Sequence, residues 1–376
     1  MKVGVPTEIK PDEYRVAMTP AGVRELTDAG HEVFIQDGAG EVSAISNDDY
    51  TAQGAKILPD ADAVFGEAEM IVKVKEPQPV EVERLRPEHL LFTYLHLAPD
   101  PDLTHGLMKS GATCIAYETV EDRNGRLPLL APMSEVAGKL ATQSGAFMLE
   151  KPNSGRGSLL GGVPGVAAAK VMVIGGGVVG TNAAIISIGM QGETYVYDRS
   201  IDRLRQLEIE LDGRASTCYA STLEIEQRLP EVDLVIGAVL VPGAKAPHVI
   251  TRDQLSMMKP GAVLVDVAID QGGCFETSKA TTHSDPTYEV DGVIHYCVAN
   301  MPGAVPITST YALTNATMPY VLHLANQGVH WAVANDPGLA LGVNVAAGMV
   351  TYAPVAEAIG EQVSTLEDAL SEVPSR

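Results

Sequence analysis

The sequence predicts an α/β fold of two doubly wound parallel-sheet domains. Three observations carry this. Short apolar runs alternate with amphipathic segments along most of the chain, as strands alternate with helices in a parallel sheet. At 376 residues the chain exceeds what one hydrophobic core usually organises, so two domains are expected. The stretch 171–198, VMVIGGGVVGTNAAIISIGMQGETYVYD, joins an apolar strand, a glycine-rich turn, an apolar helix and a second strand.

Val3 to Pro6 starts the first strand. Thr19 and Pro20 supply an N-cap and a first helical residue for a helix ending at Gly30. His31 to Gln36 is the next strand, a short helix lies near Asp48 to Gln53, and Met70 to Val74 and Leu90 to Leu95 are further strands. This half has no GxGxxG of its own. Residues 155–165, GRGSLLGGVPG, read as a loop ahead of the glycine-rich strand. Beyond it Thr194 to Tyr197 is a strand, Asp202 to Leu211 a helix, Leu234 to Val239 a buried strand and Arg252 to Met258 a helix. Ala262 to Ala268 and Ile294 to Ala299 are strands. After Asn300 the strand signal fades. Ser309 to Ala325 reads as one long helix, and the acidic sequence after Gln362 as loose.

The glycines of the central stretch have separable roles. Gly175 permits a tight turn, Gly177 lets the backbone approach a pyrophosphate, and Gly180 lets the helix pack close to the strand. The helix N-terminus then offers unpaired N–H groups and partial positive charge to phosphates. Asp198, ending the second strand, is placed to accept hydrogen bonds from a ribose diol, which favours NAD over NADP. Arg199 beside it is a residue that could neutralise a 2′-phosphate. Glycine triplets also occur in ordinary turns; the strand–turn–helix–strand context marks the second domain as a Rossmann NAD-binding domain.

Composition narrows the partners. The formal net charge of −22 argues against nucleic acid and anionic membrane, which require a basic footprint. Any carboxylate substrate must therefore be held by local cations. Met1 leads straight into an apolar run without a basic leader, and no stretch nears the roughly 18 apolar residues that span a bilayer. A cytoplasmic protein is the expectation. Cys114, Cys218, Cys274 and Cys297 are scattered without CxxC spacing, so neither a disulfide framework nor a metal site is indicated. Cys274 reads as a small buried thiol.

In open parallel sheets, ligands bind outside the carboxyl ends of the strands. Arg15 lies in the loop after the first strand, Lys75 ends MIVKVK and His96 ends LLFTYLH. In the second half Leu240, Asp270 and Asn300 follow strands. Taken singly, each has a plain structural reading: a solvated loop cation for Arg15, a snorkelling lysine for Lys75, a satisfied core histidine for His96 and a turn cap for Asp270. Their shared position past strand ends favours a site for an acid substrate.

Long segments then carry a family resemblance. KVGVPTEIKPDEYRVAMTPAGV, VKVKEP, FTYLHLA, LPLLAPMSEVAG, IGAVLVPGAKAP, DVAIDQGGCFE and CVANMPGAVPITSTYALTNATMPY resemble bacterial L-alanine dehydrogenases from Met1 to about residue 335. The resemblance implies that Arg15 and Lys75 hold the substrate carboxylate and that His96 and Asp270 form the catalytic pair. It implies cofactor contacts from Ser134, Val178, Val179, Asp198, Arg203, Val239, Leu240, Val267, Asp270, Lys279, Val298, Asn300 and Met301, beside Gly175, Gly177 and Gly180. Family members usually carry a hydroxyl where this chain has Ala220, with Ser221 adjacent. A discontinuous substrate domain (1–128 plus 305–376) around an NAD-binding domain (129–304), L-alanine and pyruvate as substrates, and a hexamer are also implied. Two alternatives stand beside this: a dehydrogenase for another small amino acid, and the NAD(H)-binding subunit of a proton-pumping transhydrogenase. That subunit carries an Arg-Gln-Asp loop where this chain reads RLPLLAPMSEVAG.

Overall fold

The structure is a computed structural model that describes residues 1–239 and 247–373. It divides into two compact units, one of Met1–Met133 with Val305–Arg376, the other of Ser134–Ala304. The first unit opens with strands β1 (Lys2–Val5), β2 (Glu32–Gln36), β3 (Lys56–Leu58), β4 (Met70–Val72), β5 (Leu90–Thr93) and β6 (Thr113–Ala116). The second contains β7 (Lys170–Ile174), β8 (Glu193–Asp198), β9 (Ser216–Tyr219), β10 (Leu234–Gly237), β11 (Val263–Asp266), β12 (Thr287–Val290) and β13 (Val293–Tyr296). The chain then returns to the first unit with β14 (Val343–Ala346) and β15 (Met349–Val350).

The first sheet runs β15-β14-β6-β5-β4-β1-β2-β3, and β1 to β6 are mutually parallel. Val3 of β1 lies opposite Val33 of β2 on one side and Met70 of β4 on the other. Helices cover parallel sheets on both faces, so inner strands read as unbroken apolar runs; all residues of β4, β5 and β6 are buried. The first helix, Pro20–Asp28, starts as expected, with the Thr19 side chain accepting the Gly22 N–H. It stops two residues short of Gly30, whose φ of +86° cannot continue a helix.

Three expectations for the C-terminal sequence are corrected. Strands do occur after Asn300: β14 pairs antiparallel with β6, and β15 antiparallel with β14. They are four and two residues long, joined by Ala347 and Gly348 at φ +47° and +82°, the two-residue turn that suits strand twist. The long helical run is Pro306–Asn335, broken at Gly328 (φ 73°, ψ 160°). The tail is not loose either. Thr365 caps a helix at Leu366–Ser371, with Ala369 and Leu370 buried.

The second sheet runs β12-β13-β11-β10-β7-β8-β9. All neighbours are parallel except the β12–β13 hairpin, turned by Asp291 and Gly292 at φ +52° and +81°. Both units are thus parallel α/β sheets with antiparallel edges. Each sheet reverses its winding once, between β1 and β4 in the first and between β7 and β10 in the second. Loops leaving strands on opposite sides of such a switch point diverge and leave a crevice between them. Among the described residues no helix is long and apolar enough to cross a membrane.

Candidate active site

In the first unit the loops after β1, β4 and β5 flank the switch point and carry Arg15, Lys75 and His96. Arg15 is 3 % exposed. Its Nε and Nη2 donate to the two oxygens of buried Glu13 at 2.6 and 2.5 Å, and its Nη1 lies 2.9 Å from Met133 Sδ. Burial works against the guanidinium's charge, but the hydrogen bonds and charge of Glu13 outweigh it and raise its pKa. Arg15 is therefore no solvated loop cation.

Lys75 is also buried rather than snorkelling. Its backbone is tied to Glu8, which accepts N–H bonds from Val74 at 2.6 Å and Lys75 at 3.4 Å. Glu8 in turn pairs with Lys73, a fully buried cation 3.0 Å from Glu8 and 2.8 Å from Glu81. Removing either partner of such a pair typically costs about 3–5 kcal/mol, because the other charge is left buried and uncompensated. The loop bearing Arg15 and the strand end bearing Lys75 are thus locked to one another.

His96 sits at φ +50°, the left-handed region that a residue with a Cβ rarely adopts, at a cost of order 1–3 kcal/mol. Its N–H donates to Glu118 Oε1 at 2.6 Å, and its ring lies parallel to Tyr94, 5.7 Å between centroids. The Tyr94 hydroxyl donates to the Leu129 carbonyl at 2.5 Å. The imidazole remains 40 % exposed, so this is not a core histidine. Loss of surrounding water lowers its pKa well below the ordinary value, and the charges of Lys75, Lys10 and Arg15 push the same way. The imidazole is thus biased toward its neutral form among cations.

The second unit has its own switch point. Gly175 turns at φ +104° after β7, where a Cβ would come within 2.5 Å of the Ala238 carbonyl. A Cβ on Gly180 would lie 1.8 Å from the Gly175 carbonyl. At Gly177 it would meet nothing within 4 Å, which is the space a phosphate approach requires. Gly177 begins the helix Val178–Gly189 without a side-chain cap and with no acidic residue in its first turn. These features fit a dinucleotide. Asp198, at the end of β8, accepts the N–H groups of Gly176 and Ser200, both at 2.8 Å. Arg203 closes over the same turn through Gly176 O at 2.7 Å and Thr181 Oγ1 at 2.8 Å, with Glu210 behind it.

Val239 and Val267 leave β10 and β11, and the Val267 N–H donates to the Gly237 carbonyl. Leu240 lies outside the described residues. Asp270 is exposed on the single turn Ile269–Gln271. Asp266 organises that loop, accepting from the N–H groups of Ala268 (3.0 Å) and Cys274 (2.8 Å) and from Ser278 Oγ (2.5 Å). Cys274 is buried and its thiol pushed well above the ordinary range, which suits packing rather than attack. Val298 and Met301 are buried, Val178, Lys279 and Arg199 exposed, and Ser134 half-buried on the helix Ala131–Met148. Asn300, at φ +57°, presents its carbonyl to His283 Nε2 and the Gly303 N–H. Ser221 does not stand in for the hydroxyl missing at Ala220; it caps the helix Thr222–Arg228.

Sequence reasoning missed Glu8, Glu13, Lys73, Tyr94, Glu118 and Asp266. The one available signal was position, since Glu8 and Glu13 share the loop of Arg15 and Lys73 is two residues before Lys75.

Comparison with known proteins agrees with this layout. Residues 4–137 match the family profile "Alanine dehydrogenase/PNT, N-terminal domain", and residues 141–353 the corresponding C-terminal domain. An alanine dehydrogenase from Halomonas elongata is 59% identical over 360 residues, 96% of this chain and 97% of that protein. One from Bacillus subtilis is 52% identical over 100% of this chain and 99% of that protein. A solved L-alanine dehydrogenase superposes with a TM-score of 0.93 at 49% identity, covering 96% of this chain and 99% of that one. A transhydrogenase from Sinorhizobium meliloti, at TM-score 0.80 and 23% identity over 94% of this chain and 99% of that one, shares the fold alone. Similarity of this extent and degree favours the dehydrogenases over the transhydrogenase alternative, and the chain belongs to the alanine dehydrogenase family.

Proposed function

We propose that this chain catalyses the reversible, NAD-dependent oxidative deamination of L-alanine to pyruvate and ammonium. The observation that best supports this is His96, a neutral, partly open imidazole beside the buried cations Lys75 and Arg15. Cations suit a carboxylate substrate, and a neutral imidazole suits proton removal. Arg15, its guanidinium held in place by Glu13, would pair with the substrate carboxylate. Lys75 adds a point charge. Holding the substrate in a reactive orientation supplies part of the barrier reduction.

The glycine turn and the free start of the helix Val178–Gly189 would hold the dinucleotide phosphates, with Asp198 at the adenosine ribose. Ser134, Val178, Val179, Arg203, Val239, Val267, Lys279, Val298, Asn300 and Met301 would line the rest of the cofactor site. When bound, NAD supplies the acceptor for the hydride leaving Cα. His96 and Asp270 would together carry the protons released from the amine and the attacking water. A cytoplasmic homohexamer is part of the same reading.

Purified protein with NAD⁺ and a panel of small amino acids, followed by NADH absorbance, tests the assignment. Rapid NADH formation with alanine alone is expected. Preference for another amino acid would move the substrate within the class. NADH binding with no turnover would favour a transhydrogenase-type subunit.

A further inference from the structure

Glu118 contacts His96 in a way that suggests a role of its own. It follows β6 on the short turn Tyr117–Thr119, and β6 pairs with β5, whose continuation carries Leu95 and His96. One carboxylate oxygen, Oε1, accepts both the Leu95 N–H at 3.1 Å and the His96 N–H at 2.6 Å. The second oxygen, Oε2, accepts the Leu95 N–H at 3.2 Å. These donors belong to the segment that turns into the left-handed region at His96. Among the described residues no neighbouring strand supplies acceptors for them, so the carboxylate takes the place of the missing ladder bonds. The adjacent Tyr117 also supports His96, through a ring. It packs edge-on against Tyr94 (5.0 Å, 82°) and against Phe92 (4.4 Å, 89°), while Tyr94 stacks on the imidazole. The Tyr117–Glu118 pair thus reaches His96 at its backbone N–H and, through Tyr94, at its ring face, while Glu118 Oε1 also lies 3.9 Å from Nδ1, beyond hydrogen-bond distance.

We propose that Glu118 is a positioning residue for His96, fixing the left-handed backbone that aims the imidazole into the site. It acts through reach and hydrogen-bond acceptance rather than through its own proton or charge. The inference rests on the reading of His96 as the acid–base group.

Two conservative variants separate these roles. Glu118→Gln keeps a carbonyl oxygen where Oε1 accepts both N–H groups and gives up only the weaker, shared bond from Leu95 to Oε2, where its NH2 cannot accept. Glu118→Asp keeps the charge but is one methylene too short to reach them. The expected kcat for alanine oxidation stays within about threefold of wild type for Gln and falls about tenfold or more for Asp, as displacement of a reacting group demands. KM for alanine and Kd for NADH should stay within about twofold in both, since Arg15, Lys75 and the other unit are untouched. A merely structural role would instead lower Tm and change all constants together. The reverse order, Asp active and Gln inactive, would mean that charge or proton transfer is what Glu118 supplies, and would overturn the proposal. So would wild-type kcat in Glu118→Asp. His96→Ala, measured alongside, keeps the two readings apart. If it retains activity, the assignment of His96 fails and takes this inference with it. If it is inactive while Glu118→Asp is normal, only the positioning role fails.

Discussion

Arg15 shows how the chemistry of a site depends on residues that never touch the ligand. Its guanidinium is shared between a structural partner, Glu13, and the substrate carboxylate it is proposed to grip. Lysine could serve one of these but not both, having no planar fork. Arg15→Lys should therefore raise KM for alanine and pyruvate about tenfold or more, the loss of one charge-assisted hydrogen bond at roughly 1.5–3 kcal/mol. Kd for NADH should not move. Unchanged KM values in steady-state kinetics would remove Arg15 from the substrate site. The cation was legible in the sequence because it follows a strand end. Its partner was less so, since a glutamate two residues away in a polar loop reads as solvated. The buried carboxylates Glu8, Glu118 and Asp266 were harder still. Glu8 meets Lys73 across 65 positions and Glu118 meets His96 across 22. Such contacts exist only once strands are ordered in the sheet, and no periodicity in the chain encodes them.

At the level of elements, legibility followed hydrophobic run length. Most inner parallel strands are continuous apolar runs and were readable to within a few residues, but two short buried strands were missed, β6 (TCIA) and β14 (VNVA), whose polar residues break the apolar run. The short or half-exposed strands β3, β9, β12 and β15 were missed as well. The Asp291–Gly292 pair was an available hairpin signal for β12. The glycine-rich turn was legible because its three glycines answer steric demands that the structure makes explicit. Gly180 is the tightest of them, with 1.8 Å from a built Cβ to the Gly175 carbonyl. Relief of that contact must push the helix Val178–Gly189 away from β7. Gly180→Ala should therefore destabilise the protein by about 1–3 kcal/mol, as overpacking does. It should also weaken NADH binding in titration calorimetry, because the same movement displaces the helix N-terminus from the turn. Normal affinity together with normal Tm would show that the turn accommodates the methyl group and that close packing there is not required.

For the whole molecule the governing quantities are proton uptake and net charge. His295 is fully buried, with Nε2 2.7 Å from Thr277 Oγ1 and Nδ1 3.0 Å from the Val293 carbonyl, and burial lowers its pKa below the ordinary 6.5. His96 is lowered further. With folded pKa values below the unfolded one, the unfolded chain binds more protons as pH falls through and below about 6.5, so stability is intact above that pH and declines beneath it. Relief of carboxylate repulsion acts the other way over the same range, so the histidine contribution is read by difference: between pH 7.5 and pH 5, Tm of His295→Asn should fall less, or rise more, than that of wild type, and parallel curves would show that His295 contributes nothing to the slope. Charge adds a second dependence. The chain has 48 acidic and 26 basic side chains, so 22 carboxylates remain after every cation is paired. Their mutual repulsion opposes the compact state and is screened by salt, with a Debye length of about 10 Å at 0.1 M and about 3 Å at 1 M. Raising NaCl from about 0.1 M to about 1 M at pH 7.5 should thus raise Tm. Stabilisation by ion exclusion from the surface would raise Tm as well, so pH must separate the causes. Toward pH 5 the net charge approaches zero, the sequence pI being about 4.7, so the repulsion diminishes and the salt effect should shrink with it, whereas an exclusion effect would persist. A Tm that is flat or falls with NaCl at pH 7.5, measured by differential scanning calorimetry, would mean that the ion pairs lost to screening outweigh the repulsion relieved.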